Sequence, residues 1–332
     1  MVIIVLLGVV LTAFAGTRVD RFTGRTINNF LNADTLLQIA TDTSFFAIMA
    51  VGMTMVIVSG GIDLSVGSIY AMCGVLTAIA LKAMGLTGGS AVFVGLLVCA
   101  GIGVVAGLAN GVMVSKLNVH PFIITLGTMW VYRGIAFVTT KAESMIVVSS
   151  ITEAIKSTLG LRKGLFPIPL LATLLVALIG TVFLARTVWG RRIYAIGGNP
   201  EAARFSGIPN GRVLTGVYVI SGLVAGLAAF LASGFYGSAS SGDAQGYELY
   251  VIASAVVGGA SLSGGRGTAL GAVLGALLIT MIRQAIRTLR LDQNYEWIII
   301  GVAIVLAVVV DRLTQASVQR RLASANLGQV RG

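Results

Sequence analysis

Side chains able to carry out chemistry are few in this sequence. There is one histidine, His120, and there are two cysteines, Cys73 and Cys99, which both fall inside apolar runs. A protein metal site needs several clustered ligands, and a hydrolytic triad needs a histidine beside its nucleophile. The sequence contains no G-x-S-x-G, H-E-x-x-H or C-x-x-C string. We therefore predict that the chain is not an enzyme and carries no metal or other cofactor.

One string is similar to a nucleotide-related motif. Leu262-Ser263-Gly264-Gly265-Arg266 is close to the LSGGQ signature of ATP-binding cassette (ABC) ATPases. Such an ATPase also needs G-x-x-x-x-G-K-[ST], in which glycine amides and a lysine hold the phosphates, and this sequence has no such string. The pentapeptide lies between two apolar runs. We therefore expect a tight helix break there, where glycines allow a positive φ.

The composition indicates a membrane protein. Hydrophobic residues make up 56% of the 332 residues, charged residues only 11%, and the mean hydropathy is +0.95. A soluble domain has roughly a quarter charged residues, so a soluble globule could not bury this much apolar surface. The net charge of +11 does not indicate nucleic-acid binding, because the basic residues flank apolar runs, as at the cytoplasmic ends of membrane helices. The lipid bilayer is the predicted environment, and no nucleic-acid partner is expected.

Apolar runs predict the number of crossings. A helix needs about 20 residues to span the hydrocarbon core. Ten runs come near that length: 1–16, 39–59, 64–82, 90–115, 121–140, 165–186, 213–236, 248–262, 268–289 and 295–311. We predict an all-α polytopic membrane protein with about ten transmembrane helices, in which residues 1–332 form a single domain. The glycine breaks at 60–61 and 263–265 leave re-entrant passages as an alternative.

Arginine density predicts the orientation. Segment 186–212 contains five arginines and one acid, and the tail 312–332 contains four arginines. Basic segments stay on the cytoplasmic side, so we predict that both are cytoplasmic. Four runs separate them and six precede the first, which also places the N-terminus inside.

The basic segment includes a predicted short helix. Asn199 is a suitable N-cap, Pro200 fits the first helical position, and Gly207 is a plausible stop. The expected helix, 201–206, has an apolar side. From the residues alone, it either docks into a groove on a partner or is a connector lying on the membrane surface. The segment in question consists of Gly198, Asn199, Pro200, Glu201, Ala202, Ala203, Arg204, Phe205, Ser206 and Gly207.

Several strings together resemble a known family. They are residues 50–57, 59–68, 194–208, 247–249 and 258–267. In this order they are similar to the permease subunits of ribose/galactose/xylose-type ABC importers, and the similarity runs from about 28 to 311.

The resemblance implies a fold and a set of partners. The fold would be that of a type II ABC importer permease in the bacterial inner (cytoplasmic) membrane. The partners would be a cytoplasmic ABC ATPase, a periplasmic or extracytoplasmic solute-binding protein, and a second permease copy or paralogue. Loop 187–212 would be the cytoplasmic coupling loop that contacts the ATPase.

The expected function is passage of a small polar solute, most plausibly a monosaccharide, driven by ATP hydrolysis on the partner. Related permeases for nucleosides, branched-chain amino acids or a furanone signal are alternatives with the same machinery. A stand-alone secondary transporter, energised by an ion gradient, is an alternative from another class.

Polar residues within the apolar runs are the candidates for the transport path, because charges at membrane depth usually face a cavity or a partner. The segments 60–67 and 258–265 resemble each other, and they place Asp63 and Arg266 in comparable positions. We hypothesise that these two residues bracket a gate on the cytoplasmic side as an ion pair, the alternative being that each reaches water independently. The gate and pathway candidates are Asp63, Arg266, Asn110, Tyr247 and Glu248, and further possible lining residues are Trp130, Tyr236, Gln245 and Gln284.

Overall fold

The computed structural model describes residues 2–19, 24–117, 119–156, 167–306 and 309. Helices dominate these residues. In chain order they are α1 (Val2–Phe14), α2 (Ala33–Val58), α3 (Val66–Met84), α4 (Gly88–Lys116), α5 (Pro121–Thr140), α6 (Ser149–Lys156), α7 (Pro167–Arg186), α8 (Val188–Gly198), α9 (Pro200–Phe205), α10 (Asn210–Tyr236), α11 (Tyr247–Val257), α12 (Ala269–Thr288) and α13 (Tyr295–Leu306). Two short antiparallel pairs complete the fold: β1 (Thr17–Val19) with β2 (Thr26–Asn28), and β3 (Met145–Ile146) with β4 (Ser238–Ala239).

Within the described residues, seven helices are long and apolar enough to cross a membrane: α2, α3, α4, α5, α7, α10 and α12. This confirms a helical, multi-span membrane protein. The predicted runs 1–16, 248–262 and 295–311 correspond to the shorter apolar helices α1, α11 and α13. Helix α11 has 11 residues and extends about 16 Å, at 1.5 Å per residue, which is half of a hydrocarbon core. The predicted tail 312–332 lies outside the described residues.

Helix α2 is the centre of the bundle. Every residue from Thr41 to Val58 is buried, and α2 packs against α7, α10, α11 and α12. A helix that is apolar all round belongs inside a helical bundle. Asn32 caps the start of α2: its side chain accepts a hydrogen bond from Thr35 N at 2.9 Å. The fully enclosed position explains why its sequence lacks a polar face.

Small residues hold α4 against α10. A Cβ at Gly103 would overlap the carbonyl oxygen of Gly222, and a Cβ at Gly107 would overlap that of Tyr218. Backbones can approach this closely only where both helices present small residues, the usual means of helix association in lipid. The contact fixes α10 as the rigid connection between the two ends of the bundle.

We define the two ends by the elements at the ends of α10. The α9 end contains α8, α9 and the start of α10, and the hairpin end contains the end of α10 with β3 and β4. The 27 residues of α10 separate the ends by about 40 Å, at 1.5 Å per residue. Helix α10 and these two ends position both the predicted coupling loop and the predicted pathway residues.

Candidate functional site

The α9 end is built from two capped helices. Thr187 caps α8 by accepting a hydrogen bond from Gly190 N at 3.0 Å. Asn199 ends α8 and also caps α9, where its Oδ1 accepts from Glu201 N at 3.1 Å and from Ala202 N at 2.9 Å. The predicted cap and proline start are therefore present, although the helix is Pro200–Phe205 and is preceded by α8, a helix that the sequence reading did not identify.

Helix α9 presents an exposed face. The Phe205 side chain is 81% exposed, and the Arg204 guanidinium lies 5.6 Å from the centre of its ring. Ala203 faces inward and is 4% exposed, whereas Ala202 is exposed. Of the three side chains on the predicted apolar side, Ala203 packs against the protein, while Ala202 and Phe205 remain on the surface.

Behind this face, three chain segments meet at what we call the glycine junction, formed by Val58, Gly197, Gly264 and Gly265. Gly265 N donates to the carbonyl oxygen of Val58 at 2.8 Å. A Cβ at Gly197 would overlap that oxygen and would lie 2.6 Å from Gly265 N. Gly264 and Gly265 have φ of 83° and 73°, a region that only glycine enters without strain. The LSGGR string is therefore a tight turn, as the sequence predicted.

Tyr194 adds a second connection between α8 and the same turn. Its hydroxyl donates to the carbonyl oxygen of Gly267 at 2.6 Å, and burial raises the pKa of this phenol, so the donor proton stays in place. Helix α8 is thereby joined to the end of α2 and to the turn between α11 and α12.

Asp63 lies between α2 and α3 at the centre of a buried polar network. Its Oδ1 accepts from Ser65 Oγ at 2.6 Å and from Ser65 N at 3.0 Å, and its Oδ2 accepts from Ser221 Oγ at 2.9 Å. Asn110 Nδ2 donates to Ser65 Oγ at 2.7 Å, and Tyr132 Oη donates to Asn110 Oδ1 at 3.2 Å. The network connects the segment between α2 and α3 with α4, α5 and α10, and it contains two of the pathway candidates, Asp63 and Asn110.

Asp63 and Arg266, the two residues of the predicted gate, differ in their exposure. Asp63 is fully buried, while Arg266 is exposed. The hydrogen bonds that Asp63 accepts in the described part of the chain come from Ser65 and Ser221. The gate ion pair stays a prediction. The contacts of Asp63 indicate that its carboxylate stabilises the break between α2 and α3.

The other pathway candidates line openings towards the hairpin end. Tyr247 borders a cavity of about 420 Å³ that also contacts Tyr70 and Asp243. Glu248 borders a smaller one of about 150 Å³, which also contacts Arg133 and which includes the predicted lining residues Trp130 and Gln245.

Arg133 holds the segment between β4 and α11 in place. Its guanidinium donates to the carbonyl oxygens of Ser241 at 2.7 Å and Asp243 at 2.6 Å. This backbone-binding role was not predicted from the sequence.

Comparison with known proteins identifies the family. Residues 35–308 match the family described as branched-chain amino acid transport system / permease component. The chain belongs to this permease family. The match covers every long helix, the glycine junction and the Asp63 network, so the permease is a multi-pass protein of the bacterial inner membrane.

Curated relatives of the permease share about a third of its residues. The ribose import permease protein of Escherichia coli (strain K12) is 37% identical over 86% of this chain and 88% of its own length. The D-allose transport system permease protein of the same strain is 36% identical over 86% and 85%. A probable ABC transporter permease protein of Sinorhizobium fredii (strain NBRC 101917 / NGR234) is 38% identical over 81% and 78%. No solved structure matches the chain.

Proposed function

We propose that the chain is the membrane-spanning subunit of an ABC importer for a monosaccharide. The observation that carries the proposal is the α9 end, where an exposed, capped helix is joined through the glycine junction to the core helix α2. This arrangement suits a surface that receives force from an ATPase and transmits it to the transport path. The chain itself supplies no phosphate-binding loop, so ATP hydrolysis belongs to the partner.

The proposed topology has ten crossings in the arrangement of a type II importer. Seven long helices, the terminal helices α1 and α13, and the half-length α11 would make up the count, with both termini and the α9 end in the cytoplasm. The arginine density of 186–212 supports this orientation, because basic segments remain on the cytoplasmic side. The hairpin end would then face the solute-binding protein.

The proposed complex contains a second permease copy or paralogue, a cytoplasmic ABC ATPase and an extracytoplasmic solute-binding protein. The lipid-facing side of the permease is strongly apolar, as in α4, where Phe93, Leu97 and Val105 are exposed. A large exposed apolar surface needs lipid or another membrane subunit to cover it.

A monosaccharide is the proposed solute, because the ribose and D-allose permeases cover most of the chain. A branched-chain amino acid is the second candidate, since the description of the matching family names that substrate class. Leucine is a zwitterion, whereas a monosaccharide has no ionised group, so uptake competition separates the two classes: excess D-ribose or D-allose should inhibit, whereas excess L-leucine should not.

The test is uptake of labelled sugar into proteoliposomes that contain the permease with its partner ATPase and solute-binding protein. We expect uptake to require ATP and to fall at least tenfold in Phe205→Ala. Phe93→Ala, which also truncates an exposed phenylalanine (64% exposed), should retain uptake. Uptake that follows an imposed ion gradient without ATP would instead establish a secondary transporter.

A further inference from the structure

Two adjoining cavities lie within the permease between α2, α3, α10 and α11. One measures about 420 Å³ and the other about 220 Å³, and Tyr70, Tyr236 and Tyr247 border both. Ligand pockets commonly measure about 300–1,000 Å³. The larger cavity is therefore already in the range that holds a small solute, inside one protomer.

Aromatic rings form the common wall of the two cavities. The ring of Tyr247 lies 4.7 Å from that of Phe46, 6.1 Å from that of Tyr70 and 6.1 Å from that of Tyr250. Such spacings are typical of interacting aromatic pairs, so the rings hold each other in place. The wall offers flat apolar faces together with phenol hydroxyls, which suits a ligand having both C–H faces and hydroxyl groups.

The two arginines that border the smaller cavity, Arg283 and Arg287, are both held in ion pairs. Arg287 Nη2 lies 3.2 Å from Asp42 Oδ2, and Arg283 Nε lies 2.7 Å from Glu296 Oε1. The Arg283 guanidinium also lies 5.2 Å from the ring centre of Phe46. A ligand with ionised groups would have to compete with these internal pairs, whereas a polar ligand without ionised groups would not.

Asp243 brings a further carboxylate to the larger cavity. Its Oδ2 accepts from Ser240 N at 2.8 Å, and Arg133 holds the backbone on either side of Gly242 through its bonds to Ser241 O and Asp243 O. The carboxylate is thus presented from a fixed segment. Carboxylates are acceptor-only groups, and sugar hydroxyls are matching donors.

We propose that these two adjoining cavities form a weak binding site for a neutral monosaccharide. Tyr247 would be the stacking surface, and Asp243 would accept hydrogen bonds from the sugar hydroxyls. The inference rests on the proposed sugar import and adds a step inside a single protomer, between release from the binding protein and exit at the α9 end. Because Arg283 and Arg287 are already paired, the site selects sugars without ionised groups over sugar phosphates and amino acids.

Binding is tested on the full-length permease in lipid nanodiscs, without the ATPase or binding protein. Saturation-transfer-difference NMR is recorded with D-ribose and D-allose, and with D-ribose 5-phosphate and L-leucine as charged and zwitterionic probes. We expect saturable signals for the two neutral sugars at millimolar concentrations and at least tenfold weaker signals for the other two.

Variants of two site residues, compared with variants of two exposed control residues, locate the site. Tyr247→Ala and Asp243→Asn should weaken sugar binding at least fivefold, and Tyr247→Phe, which keeps the ring, should weaken it less than Tyr247→Ala. Tyr295→Ala and Asp292→Asn remove the same groups from exposed positions and should bind sugar as the parent does. Thermal unfolding of each variant establishes that it is folded.

The outcomes separate this proposal from the proposed function. If folded permease binds neither sugar up to about 100 mM, or if Tyr247→Ala and Asp243→Asn bind as well as their controls, the site is refuted, even when ATP-dependent sugar uptake is normal. If sugars bind as expected but uptake does not need ATP, the import mechanism is refuted while the site stands. Preferential binding of L-leucine or the sugar phosphate would overturn the assigned ligand class.

Discussion

Replacing Gly197 by alanine tests the glycine junction directly. A Cβ there would overlap the carbonyl oxygen of Val58 and would lie 2.6 Å from Gly265 N, which are the two atoms of a 2.8 Å hydrogen bond. Both neighbours are backbone atoms, so no side chain can rotate away. Overpacking of this kind costs about 1–3 kcal/mol, and losing the buried backbone hydrogen bond adds about 1–3 kcal/mol.

Gly198 provides a matched control, because a Cβ at this neighbouring position meets nothing within 4 Å. Alanine in a helix is favoured over glycine by about 1 kcal/mol, so Gly198→Ala should be neutral or slightly stabilising. Thermal unfolding in detergent should show a melting temperature several degrees lower for Gly197→Ala than for Gly198→Ala, since about 1 kcal/mol shifts it by about 2–4 °C in domains of 150–250 residues.

The same pair of variants is then assayed for transport in proteoliposomes with the partner ATPase. We expect Gly197→Ala to lose most sugar uptake while the ATPase still hydrolyses ATP, because α9 would no longer be connected to α2 in the same geometry. If Gly197→Ala and Gly198→Ala have equal stability and equal uptake, the junction does not join these elements and the reasoning is wrong.

Three further variants test other parts of the fold. Gly103→Ala should push α4 from α10 and lower the melting temperature, whereas Gly101→Ala, whose Cβ meets nothing within 4 Å, should not; equal melting temperatures would contradict the packing. Asn199→Ala should destabilise α9 by about 1 kcal/mol and reduce uptake, while Asn199→Asp, which retains a capping oxygen, should preserve uptake; loss of uptake in both would contradict the capping role. Asp63→Asn should lower both the melting temperature and the uptake, because an amide group cannot accept every bond that the buried carboxylate accepts from Ser65 and Ser221; wild-type stability would show that the network contributes little.

Composition was sufficient to predict the class of fold, because a chain with so few charges has only lipid as a suitable surrounding. The span limits also followed closely, as for α12, predicted at 268–289 and found at Ala269–Thr288. The length of α11 was harder to predict. The apolar run 248–262 matches a full crossing, but the helix has only 11 residues, most of them buried by protein, and hydropathy does not distinguish a lipid environment from a protein one.

The site was predicted in part. The Asn199-Pro200 start of α9 was readable because capping depends on local residue types. Gly197 was not identified, since its importance comes from Val58 and Gly265, which are distant in the sequence. The hydrogen bonds that Asp63 accepts from Ser65 and Ser221 were not predicted, and the ion pair with Arg266 stays a prediction. Hydroxyl partners contributed by another helix leave no charge pattern that a sequence reading can detect.

The central claim is that the exposed face of α9 contacts a cytoplasmic ATPase, and a cysteine cross-link tests it most directly. Cys73 and Cys99 are both buried, so Phe205→Cys introduces an accessible thiol at a position where the native side chain is 81% exposed. The account predicts that a short bismaleimide joins this cysteine to the ATPase subunit in inverted membrane vesicles, and that the yield changes when ATP is added. Labelling of the same cysteine by a membrane-impermeant maleimide from outside intact cells, without a cross-link to the ATPase, would contradict it.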